Sequence, residues 1–225
     1  MFIGHFAVGL AAKRVRPGIS LAVLFAAVQF ADLLWPVLVA LGLEQVRIDP
    51  GNTPFTPLDF VSYPYSHSLV SLIVWGIALG VVYRSLVADP RRGIIVFLTV
   101  LVVSHWVLDV VTHRPDMPIY PGGPRVGLGL WYSIAGTLFL EFALYVIGVW
   151  LYVRTTVAHD AIGRWGFAVL AAFLPLAYAS AIGVVPPSVP ALYASSIIGG
   201  ALLIVWSWWA DRHRDSRVRA DVTSS

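Results

Sequence analysis

Two histidines and an aspartate stand in the ten residues SHWVLDVVTH, 104–113, at the end of an apolar run that begins at Gly93. On a helix, residues four or seven apart share a face, so His105, Asp109 and Thr112 form one stripe with His113 beside it. An ionised aspartate at the centre of a membrane helix costs roughly 2.5–3.5 kcal/mol even on a lenient insertion scale. The stripe must therefore face other protein or a water-filled pocket. Asp32 in QFADLLWP is a second intramembrane carboxylate, with Gln29 one turn below it. His67 in YPYSHS opens the next apolar run, Glu141 in LFLEF falls mid-run, and His5 lies near the start. At about 1.5 Å per residue, His105 and Asp109 sit roughly 20 and 25 Å above Arg92, and Asp32 roughly 21 Å above Gly18, a common level toward one side.

Histidines and carboxylates gathered in a low-dielectric site have two physical rationales. One is a divalent metal, whose charge offsets carboxylate burial and which brings a bound water's pKa toward about 7, making hydroxide at neutral pH. The other is a proton or ion path. With no cysteine, any metal would be held by nitrogen and oxygen. Each residue also has an ordinary explanation. His105 and Asp109 can clasp two helices, Asp32 can pair with His105 for register alone, and His5 can be interfacial. Glu141 can be protonated and hydrogen-bonded, His67 can sit exposed at the mouth, and His113, Arg114 and Asp116 can form a surface ion pair. His159 and His213 need no role.

The elements that must position these groups follow from composition. The chain is 58% hydrophobic and only 12% charged, where ordinary soluble domains carry roughly 25% charged residues. It reads as an all-α, polytopic membrane helix bundle: one integral domain over 1–210 with the site in 1–145. Spans are expected over Ile19–Leu43, Ser68–Val87, Gly93–His113, Leu130–Val153, Trp165–Val184 and Ala191–Trp209. A short half-membrane or interfacial helix precedes them over Phe2–Ala12, and the basic residues after it exclude a cleaved secretory signal. Residues 165–209 carry no Asp, Glu, Lys, Arg or His, which suits scaffold helices packed through small residues such as Gly199 and Gly200. The basic tail 211–225 is expected to be disordered.

Lys13, Arg14, Arg16, Arg84, Arg91, Arg92, Arg154, Arg164, Arg212, Arg214, Arg217 and Arg219 fall on one side of this topology, and only Arg47, Arg114 and Arg125 on the other. By the positive-inside rule the first group, with both termini, is cytoplasmic. The formal charge of +3 is then membrane anchoring, the bilayer is the partner, and no nucleic acid is expected. The loops Glu44–His67 and His113–Gly129 face outward, rich in Pro and Gly, and would form a lid over the pocket.

Gly4-His5, the aspartate closing the first long run, Ser66-His67-Ser68, and Ser104-His105 with Asp109 and Thr112 carry a resemblance. Over residues 1–120 the chain resembles the membrane-bound metal-dependent hydrolases, the YdjM-like family of LexA-binding, inner-membrane-associated hydrolases. The resemblance implies a bacterial inner-membrane protein with a metal centre formed by His5, Asp32, His67, His105 and Asp109. The chain departs from that pattern twice. It has Asp32-Leu33-Leu34-Trp35 where the family often has D-x-D-H, and Tyr63-Pro64-Tyr65-Ser66-His67 where it often has H-R-G-x-T-H. Ligands of a second metal are thus missing, and His113 and Asp116 would be local replacements.

The expected function is a hydrolase using a metal-activated water, the ion being zinc or manganese, on a phosphoester or lipid-linked substrate. Glu141, Asp116 and His113 are the candidates for proton transfer. A proton- or ion-coupled transporter and a structural or regulatory membrane protein are the competing classes.

Overall fold

The computed structural model describes residues 1–87 and 93–217. Its helices are α1 (Ile3–Val15), α2 (Leu21–Val28), α3 (Phe30–Ala40), α4 (Leu69–Val87), α5 (Ile94–Thr112), α6 (Ile134–Thr155), α7 (Ala161–Ala181) and α8 (Val189–Arg212). Three short antiparallel ribbons join them: β1 (Gln45–Ile48) with β2 (Leu58–Ser62), β3 (Met117–Pro118) with β4 (Arg125–Val126), and β5 (Thr156–Ala158) with β6 (Arg214–Ser216). By length and composition five helices can cross a membrane, and six spans result if α2 and α3 count as one. The chain is a multi-pass helical bundle, as its hydropathy requires.

Four of the expected spans lie within a few residues of α4, α5, α7 and α8. A fifth, Leu130–Val153, is divided into a single 3-10 turn at Leu130–Tyr132 and α6, which Ser133 caps through Gly136 N. The run Ile19–Leu43 is not one helix. It bends by 59° between α2 and α3, at Gln29, whose φ of −101° and ψ of 12° leave the helical region. Pro36, inside α3, also lacks the N–H that would bond the Asp32 carbonyl. Irregular backbone at membrane depth survives where it is buried in protein or lines a cavity, and this break lies beside the polar cluster.

Helix α1 corrects a second expectation. It is not interfacial: Ile3, Gly4, His5, Phe6, Ala7, Gly9, Leu10, Ala12 and Lys13 are all buried. A β-carbon on Gly148 of α6 would lie 2.6 Å from the Ala7 carbonyl oxygen, and one on Gly9 would lie 2.8 Å from the Phe25 ring, so glycine permits both approaches. Gly76 and Gly80 do the same for α4 against the α5 backbone at Thr99 and Ile95. Of the two glycines expected to pack α8, Gly200 meets Leu33, but Gly199 faces open space.

The tail is ordered where it is described. Asp211 is buried on α8, and β6 pairs with β5; residues 218–225 of the expected tail lie outside the described residues, as do Arg91 and Arg92.

Beside a small apolar cluster of Trp35, Val46, Tyr63 and Met117, two larger cores result. One joins α1, α6 and α7 through Phe6, Leu10, Tyr145, Tyr152 and Leu170. The other joins α2 and α5 through Leu24, Val28, Leu98 and Val102. Between them, at the end that carries the β1–β2 and β3–β4 ribbons, lie the polar residues singled out above.

Candidate metal centre

Four separate stretches deliver the cluster. His5 comes from the first turn and a half of α1, Asp32 from the first turn of α3 just past the break, and His67 from the turn before α4. Helix α5 supplies His105 and Asp109 four residues apart, and His113 follows as its C-terminal cap. Asp109 is the hub. Its Oδ2 lies 3.0 Å from His105 Nε2 and 3.9 Å from both His67 Nε2 and His113 Nε2. Its Oδ1 lies 3.0 Å from His5 Nε2 and accepts the Met1 amino group at 2.5 Å. Asp32 Oδ1 is 3.5 Å from His67 Nε2 and 3.7 Å from His105 Nε2. His5 and His105 stack with ring centres 3.7 Å apart.

The opposite ring nitrogens decide what these atoms are. His105 Nδ1 lies 2.8 Å from the Val28 carbonyl at the helix break; a carbonyl only accepts, so Nδ1 carries the proton. Ser66 Oγ donates to Glu44 Oε2 at 2.6 Å and is left to accept from His67 Nδ1 at 2.7 Å. Glu44 is itself fixed by the Tyr65 and Ser66 amides at 2.8 Å each. His113 Nδ1 donates to Asp116 Oδ1 at 3.0 Å, and burial pushes the His113 imidazole below its ordinary value, toward the neutral form. In neutral rings so oriented, three Nε2 lone pairs converge on the two carboxylates with no proton between them. His105 Nε2, although 3.0 Å from Asp109 Oδ2, lacks hydrogen-bond geometry and has no partner among the described residues.

That arrangement fits a bound cation. Ligand distances of about 2.0–2.2 Å in a tetrahedral site place ligand atoms roughly 3.3–3.6 Å from one another, and the gaps here run from 3.0 to 3.9 Å. Protonating every ring instead would set four imidazolium ions beside the Met1 ammonium against two carboxylates, an uncompensated buried charge, whereas one divalent ion among neutral rings leaves a much smaller excess. His5–Asp32–His105 and His67–His105–Asp109 are each close enough to hold an ion. Imidazole nitrogen held by an oxygen acceptor on its far side is the usual outer arrangement of metal-ligating histidine.

Compared with known proteins, the chain matches no family model, no curated protein and no solved structure. The centre is therefore read from its own geometry.

All five residues expected as ligands meet here. Of the three expected to move protons, His113 joins the cluster through Nε2. Asp116 lies behind it, accepting from His113, from Tyr63 at 2.8 Å and from Arg114 at 3.0 Å. Burial raises its carboxyl, but these three donors outweigh that and hold it below the usual carboxylate range. Burial and the Asp116 charge keep the Tyr63 phenol well above its own range, so it remains a donor. Glu141 points elsewhere: Oε2 accepts from the Phe2 and Gly4 amides at 2.8 and 3.1 Å, and Oε1 from Tyr178 at 2.6 Å. It caps α1, holding His5 in place, and is not free to take a proton from the centre.

Sequence reasoning missed the Glu44–Ser66 support of His67 and the Trp131 ring set 4.1 Å from His113. An acidic residue at the end of a long helix-to-helix loop was the only signal for the first. The β1–β2 ribbon does cover this end: its Asp59 binds Arg47 and Arg114, and Arg114 also holds Asn52 at 2.5 Å and Asp116. A second His/Asp group, His159, Asp160 and His213, lies at the opposite end of the bundle. Its geometry has a local explanation, because Asp160 caps α7 through Gly163 N at 2.7 Å and binds His213 at 2.5 Å.

Proposed function

We propose that the protein is a membrane-embedded, metal-dependent hydrolase of the kind its first 120 residues resemble. The observation that carries this reading is the convergence of three proton-free Nε2 atoms on Asp109 and Asp32. His67, His105 and Asp109 would hold the ion with Asp32, while His5 and His113 flank them. Zinc suits this four-coordinate set of two imidazole nitrogens and two carboxylate oxygens, and manganese is the alternative. When bound, the ion supplies a Lewis acid and hydroxide at neutral pH.

The chain's own residues divide the remaining work. Asp109 is closed in, and its side chain accepts bonds from all sides. The Asp32 side chain is 39% exposed and opens on a cavity that also touches His67, Asp109 and His113. Asp32 is thus the carboxylate on the substrate side. In hydrolysis the oxygen of water bonds to the phosphorus or acyl carbon as the ester bond breaks. Asp32, holding the ion through the Oδ1 that faces His67 and His105, would take the water's proton on its other oxygen and return it to the leaving oxygen. The fixed Nδ1–H contacts keep the imidazoles from rotating, so they need no reorganisation during the reaction.

A transporter reading needs titratable groups continuing across the bundle. Along α1, Phe6 to Ala12 between His5 and Lys13 are all apolar or glycine, which favours the hydrolase. The basic residues gather at one end, where Lys13 binds Asp211 and Arg214 binds Thr156. With that end cytoplasmic in a bacterial inner membrane, the centre opens toward the outer half. The test is hydrolysis of bis(p-nitrophenyl) phosphate and p-nitrophenyl esters by the purified protein. Activity should be abolished by a chelator, restored by zinc or manganese and absent in Asp109→Asn; full activity in excess chelator would remove the reading.

A further inference from the structure

Helix α8 buries little of its surface against the bundle. Of its 24 residues, only Ser207, Ala210 and Asp211 are buried. Asp211 ties that end down, accepting from Lys13 Nζ at 2.6 Å, the Leu21 amide at 2.9 Å and Tyr152 at 2.6 Å. Farther along, Val189 and Leu192 pack beside Trp35 and Val46 and Gly200 meets Leu33, but much of the helix surface stays open. Two cavities, of about 920 and 680 Å³, open between α8, α7, α3 and the start of α1. They share Asp32, Trp35, Ser195 and Ser196 in their walls and so adjoin. The larger runs along α8 to Trp206 and Trp209, and the smaller reaches His67, Asp109 and His113. From Ser195 to Trp209 the apolar seat is about 21 Å long, longer than half of a roughly 30 Å hydrocarbon core.

At the polar end of this cleft three side-chain groups wait for a partner. Gln29 Oε1, Trp35 Nε1 and Trp131 Nε1 have no hydrogen bond among the described residues, though these side chains belong to residues only 5%, 6% and 9% exposed. Gln29 and Trp35 line the larger cavity, and Trp35 and Trp131 the smaller. Bulk water does not reach such groups at membrane depth. Two indole donors beside a cationic centre call for anionic or ester oxygens, and the apolar seat behind them calls for hydrocarbon.

We infer that the cleft is the seat of a membrane phospholipid that enters sideways between α7 and α8. One hydrocarbon chain lies along Gly199 to Trp206, and the phosphate takes N–H bonds from Trp35 and Trp131 while facing His67, Asp109 and His113. The seat itself rests on the cleft and the unpaired indoles; the identification of the phosphoester as substrate rests on the hydrolase reading. An open cleft explains why Gly199 has nothing near it: the space belongs to the ligand.

The experiment uses the full chain in phosphatidylcholine vesicles containing phosphatidic acid whose acyl chain ends in a photoactivatable diazirine. Mapped by mass spectrometry, labels should fall on α8 between Gly199 and Trp206 and on Leu33 of α3. Gly199→Phe fills the seat without touching the fold, since a β-carbon there meets nothing within 4 Å. It should reduce labelling about tenfold, the effect expected of an overpacked site, with an unchanged thermal transition. A diacylglycerol probe, lacking the phosphate, should label more weakly. Trp35→Phe and Trp131→Phe should each remove about tenfold of that preference. Labelling confined to the outer faces of α4 and α5, or undiminished in Gly199→Phe, would overturn the seat. Equal labelling by both probes would overturn the phosphate's place in it. Cleft labelling that persists in protein unable to hydrolyse any diester supports the seat and removes only the hydrolase reading.

Discussion

Replacing Ser66 with alanine isolates the support of one ligand without touching a ligand. The hydroxyl accepts from His67 Nδ1 at 2.7 Å and donates to Glu44 Oε2 at 2.6 Å. Ser66→Ala frees the ring to rotate, and losing such an outer partner typically costs 10–100-fold in metal affinity, about 1.4–2.7 kcal/mol. It also removes one bond to a carboxylate, worth about 1.5–3 kcal/mol. Glu44 keeps two amide donors, from Tyr65 and Ser66, so the loss of stability should lie at the lower limit. Zinc binding measured by competition with a chromophoric chelator, alongside thermal unfolding of the metal-free protein, separates the two effects. Affinity should fall by at least about tenfold while the metal-free fold weakens modestly. An affinity within about twofold of the parent would refute the reasoning, because His67 would then not depend on its oriented lone pair.

Glu141→Gln keeps an acceptor for the α1 amides and should retain metal and most activity while lowering stability by about 1–3 kcal/mol; complete loss of turnover with metal retained would make Glu141 the proton acceptor after all. Gly148→Leu drives a side chain into the Ala7 carbonyl and should cost about 1–3 kcal/mol or more by thermal unfolding, with no change expected only if α1 does not pack on α6. At the opposite end, the Gly163 amide and then His213 hold the Asp160 carboxyl below its usual range. A depressed folded pKa stabilises above the unfolded value near 3.9 and is lost as pH falls through the folded one. Protection of the amides at the start of α7, taken as the exchange rate relative to the unfolded chain at the same pH, should therefore fall on acidification below about pH 4, and less so in Asp160→Asn, which cannot titrate; identical profiles would contradict that role.

The bundle was legible because membrane solvation leaves few alternatives: a run of about 20 apolar residues can only be a helix or be buried. The gathering of His5, Asp32, His67, His105 and Asp109 was legible too, since a histidine or aspartate at membrane depth must find a partner. What the sequence hid depends on tertiary contact. Nothing local marks Gln29 as a break, because the bend becomes useful only when His105 binds the exposed Val28 carbonyl. Glu141 looked unspent because its partners, the Phe2 and Gly4 amides and Tyr178, lie more than 35 residues away in the chain. Asp211 looked like the start of a loose tail, yet it is the buried anchor of α8. The sparse burial of α8 leaves no periodic signature, since a helix apolar on every side suits lipid, protein or a ligand equally.

The central claim is that the converging Nε2 atoms of His67 and His105, with Asp109 and Asp32, hold a metal ion. Elemental analysis of protein purified without chelator tests it most directly. The account predicts about one zinc or manganese per chain, lost in His105→Ala while the thermal transition shows a folded protein. A folded parent protein carrying no transition metal, and binding none when zinc is added, would contradict it.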